Sequence, residues 1–311
     1  MIDLDFTYLA TDGEKIHAKK WIGEPTVKPK VIVQIAHGMA EHIERYDAFA
    51  KYLLSKQIFV YGNDHRGHGR TGQERNRPGY FADKEGFHFV VEDMSNLTDI
   101  IEKDYPEVPV ILFGHSMGSF LARRYIQLYG ERIAGVILSG TGGDPGILGK
   151  IGRVIASREI KKHGRETPSP LLNKLTFGSN NKSFRPNRTE FDWLTRDTIE
   201  VDKYMEDPLC GGVFTAGFFR DLFDGLELIN RKDNIRRIPK ELPIFLLSGA
   251  KDPIGNHTKG VLSTYHAFKE AGLKDVTYKF YEEGRHEMLN ETNREEVYED
   301  IVAWIIQHLC K

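Results

Sequence analysis

The stretch VPVILFGHSMGSFLARRYIQLYG, residues 108–130, sets an apolar run directly before a glycine-flanked serine and a helical stripe directly after it. The run at 108–113 is short, branched and aromatic, as a buried strand requires. Phe120, Leu121, Tyr125 and Leu128 recur at helical spacing, and Gly130 closes the stripe. Between them stands GHSMG, 114–118. So sharp a strand-to-helix turn forces its central residue into strained backbone, and a side chain at either flank would strike the adjacent strand or helix. Gly114 and Gly118 meet that need. Eleven serines scattered among 30 glycines in a chain of this length produce only about 0.1 such patterns by chance. Ser116 therefore reads as a candidate nucleophile.

A serine hydroxyl is a poor nucleophile until a base, a group that orients the base, and donors for the developing oxyanion surround it. For this kind of turn the chain order is Ser, then Asp or Glu, then His. GAKDPIG, 249–255, and EEGRHEML, 282–289, fit that order. Asp252 follows an apolar strand at 243–248, at the carboxyl end where functional groups of parallel sheets gather, and Pro253 sets a turn. His286 follows the next strand, past Gly284. Alone, the first reads as a turn residue and the second as a surface histidine; together they are the favoured orienter and base. His17, His88, His163 and His308 fall away from that edge, while His115 is pinned inside the turn, beside the substrate. In AHGMAEH, 36–42, Gly38 turns the chain sharply, also beside the substrate, and the Met39 amide joins that of Met117 as an oxyanion donor. Glu41, His42 and Arg45 are expected to fix this loop by local hydrogen bonds and ion pairs. The glycine- and cation-rich NDHRGHGRTG, 63–72, lacks either phosphate-loop spacing and reads as scaffold.

Working outward, strands are expected near 3–9, 16–22, 31–36, 57–62, 108–113, 135–139, 242–249 and 276–281, the first two as a hairpin around Asp12-Gly13. They alternate with amphipathic segments, and the last of these runs through Val297, Ile301, Trp304 and Ile305. The alternation stops from 141 to 237, a stretch too long for a loop. The expected class is α/β: a mostly parallel sheet of about eight strands flanked by helices. Residues 1–140 and 238–311 would form the core and 141–237 an inserted, mainly helical cap. Within the cap, Phe214, Phe218, Leu222, Leu226 and Ile229 share a helical face, widened by Phe219 and Phe223, that is expected to pack onto the core.

With 40% hydrophobic residues in 311, the chain can bury a sizeable core. A formal charge of -2, from 43 basic and 45 acidic residues, gives no reason to expect nucleic acid. The run Lys161, Lys162, His163 and Arg165 reads as solvated surface. Cys210 and Cys310, one hundred residues apart, have neither metal nor redox spacing. The opening MIDLDFTYLA is acidic and alternating where a signal peptide would be basic and then apolar, and a cytoplasmic setting is expected.

Six motifs now stand together: HGMAEHIERY, DHRGHGRTG, GHSMGS, DPLCGG, GAKDP and GRHEMLNE. They resemble the monoacylglycerol lipase and lysophospholipase group of serine α/β-hydrolases, often labelled the serine aminopeptidase family. The resemblance implies the α/β-hydrolase fold, Ser116, Asp252 and His286 as the triad, and Met39 with Met117 as oxyanion donors. It implies acyl transfer to serine without metal or organic cofactor, on a small-molecule ester carrying an acyl chain. Cys210 resembles a cap cysteine near the substrate channel, with simple packing as its alternative role. Ile147, Leu148, Ile151, Val154 and Ile155 would allow at most transient contact with membrane or micelle. Two other readings stay open: an esterase for short-chain or aromatic, cinnamoyl-type acyl groups, and a non-catalytic hydrolase-fold protein that binds a small molecule. Peptidase activity is disfavoured, because no acidic cluster for a free amino terminus is evident.

Overall fold

A computed structural model describes residues 2–309; Cys310 lies outside the described residues. The chain runs β1 (Ile2–Leu9), β2 (Lys15–Ile22), β3 (Val31–Ala36), α1 (Asp47–Ser55), β4 (Ile58–Asn63), α2 (Gly69–Glu74), α3 (Gly86–Asp104), β5 (Val110–His115), α4 (Met117–Tyr129) and β6 (Gly135–Ser139). After five helices, α5 (Gly146–His163), α6 (Pro170–Phe177), α7 (Thr198–Glu206), α8 (Ala216–Asn230) and α9 (Lys232–Ile235), it resumes with β7 (Ile244–Gly249), α10 (Lys259–Glu270), β8 (Val276–Tyr281) and α11 (Arg294–Leu309). The strands form one eight-stranded sheet in the order β1-β2-β4-β3-β5-β6-β7-β8. β1 pairs antiparallel with β2, and β2 antiparallel with β4; every other pairing is parallel.

Strand composition explains this order. β3, β5, β6 and β7 are buried along their whole length, and their Val, Ile, Leu and Phe runs suit a sheet covered on both faces. Side chains alternate between two cores. Ile32, Leu112, Val136, Leu138 and Leu246 meet α3, α4 and α8, while Val33, Ile111, Phe113, Ile137 and Leu247 meet α1 and α11. The expected face of α11 is buried, with Trp304 stacked on Phe245 at 5.8 Å between ring centroids. β1 is an outer strand whose Asp3 and Asp5 pair with Lys19 across the hairpin, a charged edge that discourages pairing with another chain.

Three expectations shift, and one of them is the strand placed at 242–249, which begins at Ile244, just past Pro243. The strand placed at 108–113 runs instead from Val110 to His115, because Pro109 has no N–H for the ladder and the ladder continues into the serine turn. Arg165, read as solvated, donates to both oxygens of buried Asp221 at 2.6 and 2.7 Å; α5 ends at His163, Gly164 caps it at φ 96°, and the chain folds back against α8. Lys161, Lys162 and His163 are exposed as expected.

The aromatic face of α8 packs on the sheet's helices, with Phe218 fully buried 4.5 Å from Phe81 between ring centroids. On α5, Ile147, Leu148, Ile151 and Val154 are exposed. No helix among the described residues is long and apolar enough to cross a membrane.

Because α8 shares the core of the sheet, Phe218→Ala is expected to destabilise the protein by roughly 3–5 kcal/mol. Urea unfolding followed by circular dichroism and tryptophan fluorescence should move as one transition, coincident in both signals; separate transitions would make the α8 region an independent unit.

Candidate active site

Ser116 sits at the end of β5 with φ 52° and ψ -119°, a strained conformation for a residue with a side chain. Close packing holds it there. A Cβ on Gly118 would run into the Ala36 carbonyl oxygen, and one on Gly114 would stand 2.5 Å from the Gly118 carbonyl oxygen. The Ser116 N–H donates to the Ser139 carbonyl at 2.9 Å, so the neighbouring strand fixes the turn's entrance. Met117 opens α4, and its N–H is one of the first four, which have no intrahelical acceptor.

Asp252 follows β7 and is fully buried. Its Oδ1 accepts from the Ile254 N–H at 2.8 Å, closing the turn at Pro253, and its Oδ2 accepts from Ser248 Oγ at 3.3 Å. His286 Nδ1 lies 2.9 Å from the same Oδ2. A carboxylate only accepts, so Nδ1 carries the hydrogen and Nε2 keeps its lone pair. Burial favours the neutral ring, but the Asp252 charge and hydrogen bond outweigh it and hold His286 above the ordinary imidazole range. The ring packs closely on the end of β6: a Cβ on Gly140 would come within 3.0 Å of it. His115, pushed down to about 4 by burial and by His286, is a neutral neighbour 4.7 Å away between ring centroids.

The third piece is the loop after β3. His37 Nδ1 lies 2.7 Å from the Gly38 carbonyl oxygen, while Nε2 accepts the His65 N–H at 3.0 Å, which assigns the tautomer. The Gly38 N–H donates to Glu41 Oε1 at 2.5 Å. Since the Gly38–Met39 peptide is planar, pinning its carbonyl also fixes the direction of the Met39 N–H. Glu41, His42 and Arg45 reach further than expected. Arg45 donates to Glu41 at 2.8 Å and, as a fork, to Glu287 at 2.7 and 2.8 Å; His42 Nε2 meets Asp207 Oδ2 at 2.8 Å. Burial works against the Glu287 charge, yet Arg45 holds the carboxyl down to about 2.

Beyond the expected place of Cys210 near the channel, the 141–237 stretch supports His286 and the loop after β3 through contacts that no sequence motif marks. Trp193 packs on the His286 ring at 5.0 Å between centroids. Its carbonyl accepts the His286 N–H at 3.4 Å, and the Leu194 carbonyl accepts the Glu287 N–H at 2.7 Å. Arg285 donates to the Asp192 carbonyl and, at 3.2 Å, to that of Thr195. Tyr204 Oη and the Gly211 N–H both reach the Ala40 carbonyl at 3.0 Å.

Gly38, Met39, His115, Ser116 and His286 line one cavity of about 660 Å³ together with Phe177, Phe191, Trp193, Leu194 and Val213. Asn173, Asn187, Thr189 and Glu190 add a polar rim. Gly211 and Gly212 line it too, while Cys210 packs beside the cluster of Trp193, Leu194 and Tyr204. Asp252 stands behind His286. The 63–72 segment acts as scaffold: Asp64 accepts the Ile43 and Arg70 N–H groups at 2.9 and 2.8 Å, and Arg66 pairs with Asp93 at 2.7 Å.

The family described as serine aminopeptidase, S33, matches residues 27–293. Monoglyceride lipase of Homo sapiens is 30% identical over 303 residues, 95% of this chain and 88% of its own. Monoacylglycerol lipase of Mycolicibacterium smegmatis is 27% identical over 98% of each chain. A thermostable carboxyl esterase from Bacillus coagulans, solved in complex with glycerol, has a TM-score of 0.91 at 26% identity over 99% of each chain.

Two outcomes follow for the imidazole. Only neutral His286 can accept a proton, and its raised pKa keeps it charged past the ordinary value of 6.5. The acid limb of kcat/KM for an ester should therefore lie above that pH. Asp252→Asn should shift it lower and cut kcat on the order of 10⁴-fold. Trp193→Ala should lower kcat by roughly 10²-fold through a misplaced ring, with Trp193→Phe restoring most of it; equal rates for wild type and Trp193→Ala would remove Trp193 from the apparatus.

Proposed function

This chain belongs to the serine aminopeptidase S33 family of α/β-hydrolases, and from that premise we propose that it cleaves lipid-like carboxylic esters, monoacylglycerols or lysophospholipids, through an acyl-enzyme on Ser116. The observation that carries the reading is the shared cavity. A serine in a strained turn and a histidine held through Nδ1 by a buried aspartate, 2.9 Å away, open on one space. His286 Nε2 takes the Ser116 proton as Oγ attacks the ester carbonyl, and Asp252 stabilises the imidazolium. The Met39 and Met117 amides receive the oxyanion. His286 then returns its proton to the leaving alcohol, and water, deprotonated by the same ring, releases the acid.

Residues 1–140 and 238–311 act as the core and 141–237 as a cap over it. The aromatic wall suits an acyl chain, and the polar rim suits a hydroxylated head group. A space of about 660 Å³ holds one chain with a small head group more readily than three chains. That polar rim also favours the second reading, an esterase for shorter or aromatic acyl groups. The exposed Ile147, Leu148, Ile151 and Val154 support brief contact with a lipid surface. Two cysteines in 311 residues fit a reducing cytoplasm.

A fluorophosphonate should add once to the wild type, by intact mass, and not to Ser116→Ala, which should lose on the order of 10⁶-fold in kcat. Among substrates, 1-monoacylglycerols should turn over and triacylglycerols should not. Preference for acetyl or feruloyl esters over monoacylglycerols would favour the second reading. An unlabelled but folded wild type would leave a binding protein.

A further inference from the structure

His42, Asp207 and Cys210 each offer a donor atom within 4.8 Å of the other two. They join two parts of the molecule: His42 stands three residues beyond Met39 on the loop after β3, and the other two lie in the turn that follows α7. The turn presents them together. Asp207 Oδ1 accepts the Leu209 N–H at 2.8 Å, and the Asp207 carbonyl accepts the Cys210 N–H at 3.0 Å. That leaves Oδ2 for His42 Nε2 at 2.8 Å, beside a free, half-buried thiol. The catalytic mechanism uses none of the three.

We propose that His42, Asp207 and Cys210 form a site for a borderline-soft divalent cation, with zinc as the reference ion, that clamps the turn after α7 to the oxyanion loop and slows ester hydrolysis. Imidazole, carboxylate and thiolate together favour zinc over magnesium or calcium, and three protein ligands leave the fourth position for water. Burial pushes the Cys210 thiol up despite the nearby Arg45, so the ion itself must displace the proton. On binding, the S–H bond breaks, sulfur bonds the ion, and one proton leaves to solvent. The hydrogen between His42 and Asp207 moves to Nδ1, freeing the Nε2 lone pair. Arg45 faces this site, but its charge is already matched by Glu41 and Glu287.

The slowing rests on the reading of Met39 as an oxyanion donor; the binding does not. Tetrahedral zinc with bonds of about 2.0–2.1 Å sets its nitrogen and oxygen ligands about 3.3 Å apart. The present separation is 2.8 Å, so binding spreads the pair. The same loop holds Ala40, already tied to Tyr204 and Gly211, and the displacement is passed to the Met39 amide.

Cobalt titration of the full chain reads the site directly. We expect one equivalent to give a thiolate-to-cobalt charge-transfer band that zinc abolishes, that His286→Ala retains and that Cys210→Ala lacks. Zinc should also protect the Cys210 peptide from iodoacetamide, a readout in wild type that needs no variant to fold. Micromolar zinc should slow wild type about ten-fold, reversibly with EDTA, and leave Cys210→Ala at its own metal-free rate. A folded wild type with neither band nor protection overturns the site. Band and protection without slowing keep the site and overturn its control of the oxyanion loop. Equal slowing of Cys210→Ala moves the inhibition elsewhere.

Discussion

The whole site depends on one backbone constraint, the left-handed conformation of Ser116 at φ 52°. It is tolerable only because β5 lies in the middle of a parallel sheet and α4 packs back on β3 so closely that neither flank admits a side chain. Parallel pairing does the rest. β3, β5, β6, β7 and β8 all deliver their following loops to one edge, so Met39, Ser116, Gly140, Asp252 and His286 meet although nearly 250 residues separate the first from the last.

Placing the loops is not enough; their polar backbone must also be held without water. Glu41, Arg45 and Glu287 form a buried ionic group, an arrangement that on its own need not stabilise a fold, since desolvation opposes the Coulomb gain. Its role lies in what it orders. Glu41 accepts the Gly38 N–H and the Tyr46 hydroxyl, while Arg45 carries the connection to the residue after His286. An apolar replacement of equal volume would leave the Gly38 N–H buried and unpaired, a cost of about 1–3 kcal/mol. The loop after β3 and the chain around His286 are thus set by one shared set of hydrogen bonds.

Most of the frame was legible because the relevant physics is local. Buried strands announce themselves as branched apolar runs, and a glycine-flanked serine between strand and helix allows few geometries. Ser116, Asp252 and His286 are marked as candidates by their positions after strands, and the structure brings His286 to Asp252 and to Ser116's cavity. Partner choice across the chain was not legible. Arg45 looked local because Glu41 is four residues away, and nothing in the sequence marked Glu287 as its stronger partner. Arg165 belonged to a basic run and yet turns inward to Asp221, because Gly164 reverses the chain. Trp193 sits where strand alternation has stopped, so no periodicity indicated what its ring would face.

The contacts of Trp193 also restrict how substrate reaches the serine. The Trp193 and Leu194 carbonyls hold the amides of His286 and Glu287, and the Ala40 carbonyl holds Tyr204 and Gly211. Lifting the 141–237 stretch as one body would therefore break the supports of His286 and of the loop after β3 together. The Thr215 N–H, bonded to Gly79 at 3.0 Å, adds a third tie, and α8 lies in the main core. Residues 173–190, mostly exposed, carry the polar rim and hold Trp193 from its other side: Asn181 Oδ1 accepts the Trp193 N–H at 2.9 Å and Phe177 stacks on its ring at 6.1 Å between centroids. Motion of that stretch is therefore coupled, through Asn181 and Phe177, to the ring that packs on the His286 imidazole.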